Sequence, residues 1–354
     1  MDVIHLPIEL WTLIFDLLDI KVQIRLIQLC KTIKDKIFIT DLCNIDYNLK
    51  RKLNGNIIKK YPHIKKLDAC LHCKIGVDNL FKLDANSNPI IKIVRYATGL
   101  RIVDASLNSE IGDDDLIGLN LIELDAYDNP KIKKINHMKS VASNLRKLNA
   151  GGDSGIDDDS LVGLNLVELN ASYNPKIKKI NHMTNLKILH AESDCGIGTD
   201  GLIGLNLVEL YAYDNEKIKK INHMTNLRIL NASHRSGIDD DGLVGLNLVE
   251  LNARNNEKIK KINHMTNLRI LNAGWGSGID DDSLLSTFGG LNLVELNAYD
   301  NPKIKKINHM TSLRILDAGG NSGIEDDSLL GLNLIELDAH DNPKINPLLS
   351  FIKS

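Results

Sequence analysis

Two stretches decide the fold: LVELNASYNPKIKKI (Leu166–Ile180) and LRILNASHRSGIDDD (Leu227–Asp241). Both open on L-x-x-L-x-A and then diverge. The first runs on through N-P-K-I-K-K-I-N-H-M, the second through G-I-D-D-D-x-L-x-G-L. Between Ile64 and Asn342 the opening motif recurs fourteen times, starting at Ile64, Leu80, Leu100, Leu121, Leu145, Leu166, Leu186, Leu207, Leu227, Leu248, Leu268, Leu293, Leu313 and Leu334. The two continuations alternate, so the true repeat is a pair of units, 41 residues long and stretched to 45 twice, by insertions in Lys139–Ser143 and Ser286–Gly289.

Leucines at fixed offsets with a period near 21 predict an α/β leucine-rich-repeat solenoid, a horseshoe with a parallel sheet on its concave face. The leucines and the alanine of each motif alternate inward on a short strand. Alanine in the third inward position makes a thin interior, which the isoleucines of K-I-K-K-I fill from the far side. An asparagine closes each strand of the first type (Asn88, Asn129, Asn174, Asn215, Asn256, Asn301, Asn342), and its amide is suited to satisfying backbone groups of adjacent coils. Ser or Cys stands at the matching place in the second type, for example Ser109, Cys195 and Ser277.

A solenoid presents a long surface and no catalytic cleft, and no Ser/His/Asp constellation, phosphate loop or activated cysteine stands out from the repeats. The expectation is a non-catalytic chain with no cofactor. Net charge is −3 over 354 residues, which calls for neither nucleic acid nor an acidic membrane. Lysine rungs such as Lys131, Lys133 and Lys134 alternate with acidic rungs such as Asp157, Asp158 and Asp159. Neighbouring rungs cancel, so charge complementarity between coils is favoured over a nucleic-acid patch. The histidines of N-H-M (His137, His182, His223, His264, His309) recur two coils apart, about 10 Å on a sheet. Ligand bonds of about 2 Å cannot bridge that distance, and Cys70-Leu-His-Cys73 is a lone pair, so no metal is expected. Five irregularly spaced cysteines suit a reducing compartment. Acidic residues interrupt the apolar N-terminus and no apolar run reaches about 18 residues, so neither a signal peptide nor a membrane span is expected. Together these readings place the chain inside the cell, in cytoplasm or nucleus.

The repeats also suggest where a partner binds. KIKKINHM is identical in five units, whereas the positions after the alanine vary. They drift toward Tyr127, Tyr173, Tyr213, Arg254, Trp275, Tyr299 and His340, residue types enriched at interfaces. An Asp/Asn column on the same face, from Asp84 to Asp338, favours a basic partner segment.

Residues 6–39 read LPIELWTLIFDLLDIKVQIRLIQLCKTIKDKIFI. Pro7 and Glu9 suit a helix start. Leu10, Leu13, Ile14, Leu17 and Leu18 form a helical stripe, and Asp19 is placed to cap a second helix over 21–29. A module this small has apolar residues to spare, the mark of a partner interface. Leu6-Pro7, Glu9-Leu10, Ile14-Phe15, Leu18 and Leu29-Cys30-Lys31 resemble the F-box family over residues 4–40; Ile33 stands where that family commonly has Trp. The second repeat type is similar to the repeats of F-box proteins that carry leucine-rich repeats. The near-verbatim copies and the Asn/Ile/Lys bias resemble those encoded by large DNA viruses of amoebae, which would make the setting a host cell.

The resemblance implies a substrate receptor of a cullin-type ubiquitin ligase. Leu6, Pro7, Glu9, Leu10, Ile14, Phe15, Leu18 and Leu29 would contact the Skp-type adaptor, which links to cullin, and the repeats would hold a target protein. The alternative is a scaffold, or a decoy of the host ubiquitin machinery. The domain expectation is a three-helix F-box-like module at 1–45, a linker and N-terminal cap at 46–63, the array at 64–345 and a C-terminal cap at 346–354.

Overall fold

The computed structural model describes residues 12, 14–29, 37–43, 45, 63–69, 80–91, 97–137, 144–285, 291–346 and 351–353. The chain divides into two compact units, Met1–Leu164 and Asn165–Ser354.

Every L-x-x-L-x-A motif forms a three-residue strand. In the first unit these are β2 (Lys66–Asp68), β3 (Lys82–Asp84), β4 (Ile102–Asp104), β5 (Glu123–Asp125) and β6 (Lys147–Asn149), preceded by β1 (Asp41–Leu42). Each pairs in parallel with the next. The second unit holds β7 (Glu168–Asn170), β8 (Ile188–His190), β9 (Glu209–Tyr211), β10 (Ile229–Asn231), β11 (Glu250–Asn252), β12 (Ile270–Asn272), β13 (Glu295–Asn297), β14 (Ile315–Asp317) and β15 (Glu336–Asp338), again parallel and consecutive. Phe351–Lys353 (β16) closes this unit, running antiparallel along β15. Both units are leucine-rich-repeat solenoids.

Register follows from the leucines. Leu210, Leu230, Leu251 and Leu271 are Cα partners across successive strands, and all are buried. A slip of one residue would turn this column to water. The far wall is built as the sequence requires, with Ile218, Ile221, Ile259 and Ile262 at 0% exposure. The methionine of N-H-M joins them: Met183, Met224 and Met265 are buried too.

The asparagine amides stitch one coil to the previous one. Asn256 Nδ2 donates to Ala232 O at 2.7 Å and Ile238 O at 3.1 Å, while its Oδ1 accepts from Lys258 N at 3.0 Å. Asn129, Asn215, Asn301 and Asn342 repeat the pattern. Ser236, Ser277 and Ser322, at the matching place in the second unit type, are fully buried. They accept one long bond from the amide two residues on, at 3.4–3.5 Å.

The charged rungs also touch, though through the main chain. Asp240 Oδ1 accepts from Lys260 N and Lys261 N at 2.7 and 2.8 Å, and Asp281 Oδ1 from Lys305 N and Lys306 N at 2.7 and 2.9 Å. The first lysine of each K-I-K-K folds back onto the previous coil. Lys258 Nζ donates to Ser236 O at 3.0 Å and Lys303 Nζ to Ser277 O at 3.0 Å. The glycine of G-I-D is needed for close approach: a Cβ on Gly237 would lie 2.4 Å from Glu216 O.

At the N-terminal side of the first unit, helix α1 spans Ile20–Leu29. Asp19 caps it as the sequence suggests, Oδ1 accepting from Lys21 N at 2.8 Å. Phe15 is 1% exposed, and Gln23 Nε2 donates to Phe15 O and Leu18 O at 2.8 and 3.1 Å. Leu6, Pro7, Glu9 and Leu10, the third helix, residues 46–62 and both insertions lie outside the described residues.

Replacing Asn256 by Ala strands two buried carbonyls, each costing on the order of 1–3 kcal/mol. Asn256→Ala is therefore expected to lower the unfolding free energy by about 2–4 kcal/mol in urea titration, whereas exposed Thr266→Ala should stay within about 0.5 kcal/mol.

Candidate interaction surface

Strand side chains alternate, so the first and third residues of each strand face solvent. The third is the Asp/Asn column, and its identity has a structural cause. Where Asp or Asn stands there, its Oδ1 accepts from the amide two residues on, as at Asn252 (Arg254 N, 3.1 Å), Asn272 (Gly274 N, 3.2 Å) and Asn297 (Tyr299 N, 3.0 Å). That bond starts the turn out of the sheet.

The second residue after the alanine then takes a left-handed backbone: Asp128, Ser193, Asp214, Asn255, Asp300 and Asp341, with φ of 52–59°. Asp and Asn tolerate this region; larger side chains are strained there. Tyr173 (φ 61°), His234 (57°) and Trp275 (54°) occupy it nonetheless. Trp275 is 47% exposed and Tyr173 49%. A bulky aromatic held in a strained slot and open to water is a feature the scaffold alone does not require.

Three of the sequence-selected residues come together around that slot. The Arg254 guanidinium lies 5.0 Å from the Trp275 ring centroid, and Trp275 stacks on Tyr299 at 5.4 Å with 27° between planes. The other side of Tyr299 lies over the next turn, where a Cβ on Gly319 would meet Cδ2 at 2.8 Å. The result is a continuous Arg–Trp–Tyr ridge over successive coils. Its contacts contribute about 0.5–1.5 kcal/mol each.

The other selected residues stand apart from it. Tyr213 meets His234 edge-on at 4.7 Å, beside a two-pronged Arg235–Asp214 ion pair at 2.8 and 3.0 Å. His340 Nε2 lies 3.0 Å from Asp341. Tyr173 is exposed without joining the ridge, and Tyr127, in the first unit, packs over Gly152. The sequence reading missed one pair: His190 and Tyr211, at the third strand position, stack at 4.3 Å and 3°. Both break the Asp/Asn column, and that break was the available signal.

Electrostatically the face is acidic toward its C-terminal end. Burial, then Asp338 and Asp300, raises the Asp317 carboxyl above its ordinary range despite bonds from Gly319 N and Asn297 Nδ2. Burial, then Asp300, Asp341, Asp317 and Asp338, raises the Tyr299 phenol. Burial, then the bond to Glu209 at 2.9 Å, pushes Tyr211 up to about 12. Desolvation pushes the buried Cys195 thiol up to about 12 as well, the reverse of what a nucleophile needs.

Two histidines of the column bond within the fold: His223 and His264 Nε2 lie 3.1 and 3.2 Å from the carbonyls of Leu202 and Leu243. Among the described residues no three His, Cys, Asp or Glu side chains are placed to hold a metal ion. Cys70 and Cys73 lie outside them. Among the same residues no helix is long and apolar enough to cross a membrane.

No protein-family model matches the chain, and no curated protein sequence does. Solved structures similar to it include the internalin inlF of Listeria monocytogenes, at 21% identity and TM-score 0.49 over 72% of this chain and 79% of that one. Rad7 of the yeast Rad7–Elc1 complex is another, at 15% identity and TM-score 0.46 over 96% and 89%. TLR13, in its complex with ssRNA13, is a third, at 13% identity and TM-score 0.47 over 86% and 55%.

Trp275→Asn places a residue tolerant of the left-handed slot there. It is expected to change the unfolding free energy by less than about 1 kcal/mol, against about 2–5 kcal/mol for Leu271→Ala in the core. A loss at Trp275 as large as that at Leu271 would make the tryptophan part of the scaffold. Ionising Asp317 costs more in the folded chain than in the unfolded one. The penalty is present above its raised folded pKa and vanishes below the unfolded value near 4. Asp317→Asn should therefore raise the melting temperature at pH 7 and leave it unchanged at pH 3, in parallel thermal scans.

Proposed function

We propose that this chain is the substrate-recognition subunit of a cullin-type ubiquitin ligase. Residues 1–45 would dock on a Skp-type adaptor, 46–63 link and cap, 64–345 hold a target protein, and 346–354 cap the C-terminal end. The observation that carries the target-binding half is the Arg254–Trp275–Tyr299 ridge. Arg, Trp and Tyr are the side chains that dominate binding energies at interfaces, and here they are stacked, preorganised and half open to water. Tyr173, Tyr213 and His340, with Tyr127 in the first unit, would extend the contact as a rim.

The adaptor-binding half rests on the F-box resemblance of Leu6, Pro7, Glu9, Leu10, Ile14, Phe15, Leu18 and Leu29. Exposed apolar side chains support it: Ile14 at 39%, Val22 at 41% and Leu17 at 87%. Water-facing aliphatics on so short a segment mark a partner surface. Leu17 and Val22 join the docking set; Phe15, being buried, would act by holding the segment together. No residue of the chain is assigned a chemical step. Ubiquitin transfer would be performed by the other subunits.

Pull-down from cell lysate should recover the Skp-type adaptor and cullin with the native chain and lose both with a Leu10→Asp, Ile14→Asp double variant. Recovery of neither by the native chain would overturn the ligase reading and leave a protein-binding scaffold. Recovery of the adaptor without cullin would instead favour a decoy.

A further inference from the structure

We propose that the coil Gly196–Gly204 forms a phosphate-binding cleft on the return side of the second unit. In four other described turns of this type these positions carry three acids, Asp157–Asp159, Asp239–Asp241, Asp280–Asp282 and Glu325–Asp327, and in a fifth they read Gly112, Asp113 and Asp114. Here the three positions read Gly198, Thr199 and Asp200. Two carboxylates are gone while the lysines of the flanking coils remain.

The substitution keeps the contact and removes the charge. Thr199 Oγ1 accepts from Lys219 N at 2.9 Å and Lys220 N at 3.4 Å, the bonds that Asp240 makes one pair of coils later. Fold and register therefore do not need a carboxylate at this place. The surface here forms a cleft of about 660 Å³ lined by Lys178 and Lys179 from one coil and Lys217 and Lys219 from another. Its one lining carboxylate is Asp200. Lys217 Nζ donates to Cys195 O at 2.8 Å, a neutral acceptor that leaves its charge in place.

Four ammonium groups against one carboxylate suit a phosphate dianion. Lysine binds phosphate as a mobile point charge and needs no preset fork geometry. The volume exceeds that of a bare ion, so the cleft has room for a phosphomonoester together with the first atoms of whatever carries it.

The test compares the native chain with Gly198→Asp, Thr199→Asp, which turns Gly196–Leu202 into the sequence of Gly237–Leu243 and so is built to fold. Inorganic phosphate and N-acetyl-phosphoserine amide are titrated into each by calorimetry at low ionic strength, with thermal melting to confirm the fold. The native chain is expected to bind one equivalent, weakening as salt is added, and the variant to bind roughly ten-fold or more weaker. Tighter binding of phosphoserine than of phosphate would assign the cleft to a phosphorylated partner segment; equal binding would assign it to the free ion. A second variant, Asp239→Gly, Asp240→Thr, should gain a second equivalent by copying the cleft into the next pair of coils. Absence of binding to the native chain, or equal binding by native chain and Gly198→Asp, Thr199→Asp, would overturn the assignment.

Discussion

The rest of the fold depends on one side chain used repeatedly, the buried asparagine that ends each strand of the first type. A solenoid coil turns out of its sheet where the interior is dry, so carbonyls of the coil before are left facing apolar surroundings. Each is costly unless bonded. The asparagine supplies two donors to the previous coil and one acceptor to its own turn, three of the four bonds its amide can make. Serine in the alternate coil has only a long bond to its own chain. Asparagine stitching therefore occurs at every second coil and runs backward, while at the other interface Ser160 and Ser328 Oγ donate to the carbonyls of Lys133 and Lys305. The lysine that folds onto the same previous coil reinforces that direction. A two-coil period in the sequence is thus a two-coil period in cohesion.

That economy explains why the scaffold was legible from the residues. Leu251, Ala253, Asn256 and Ile259 each sit where a single physical requirement leaves one residue type, and repetition exposes the requirement. The aspartate rungs were read less well because charge and hydrogen-bond capacity coincide in one side chain. Sequence suggests attraction to the lysine ammonium; the carboxylate is spent on the lysine main chain instead, where Thr199 can replace it. The sequence assigns the methionine of N-H-M no role, and its burial follows from its spacing of three after Ile262. Strand β1 escaped notice because Asp41–Leu42 lacks the motif; it pairs with β2 through the backbone and the Asp41–Lys66 ion pair at 3.1 Å.

The candidate surface was half legible for a related reason. Variation among copies marks the positions after the alanine as unconstrained, yet it does not say which of them meet. That depends on register. The amide of the second residue after each alanine bonds to the carbonyl of the first such residue in the next coil: His234 N to Arg254 O at 2.7 Å, Trp275 N to Tyr299 O at 2.8 Å. The second position of one coil is thereby set against the first position of its successor. Trp275 must lie beside Tyr299, whereas Tyr173, facing Glu192 through the same bond, finds no aromatic there.

The same ladder defines what this architecture can vary. Inward positions are closed by packing, the Asp/Asn column by its turn-starting bond, and the asparagine by the previous coil. Two places per coil remain: the pair after the alanine on the sheet side and the acid triplet on the return side. At the first, a left-handed slot tolerates Asp, Asn or Gly at little cost, so a bulky residue there signals something other than stability. At the second, a hydroxyl replaces a carboxylate without loss of the bond, so a missing charge signals the same. Trp275, with Leu107, Tyr173 and His234, departs at the first place and Thr199 at the second, and each keeps the bonds of the coil that carries it. A repeat scaffold this uniform makes function readable as deviation: the fold requirement is printed many times over, and what remains after subtracting it belongs to the partner.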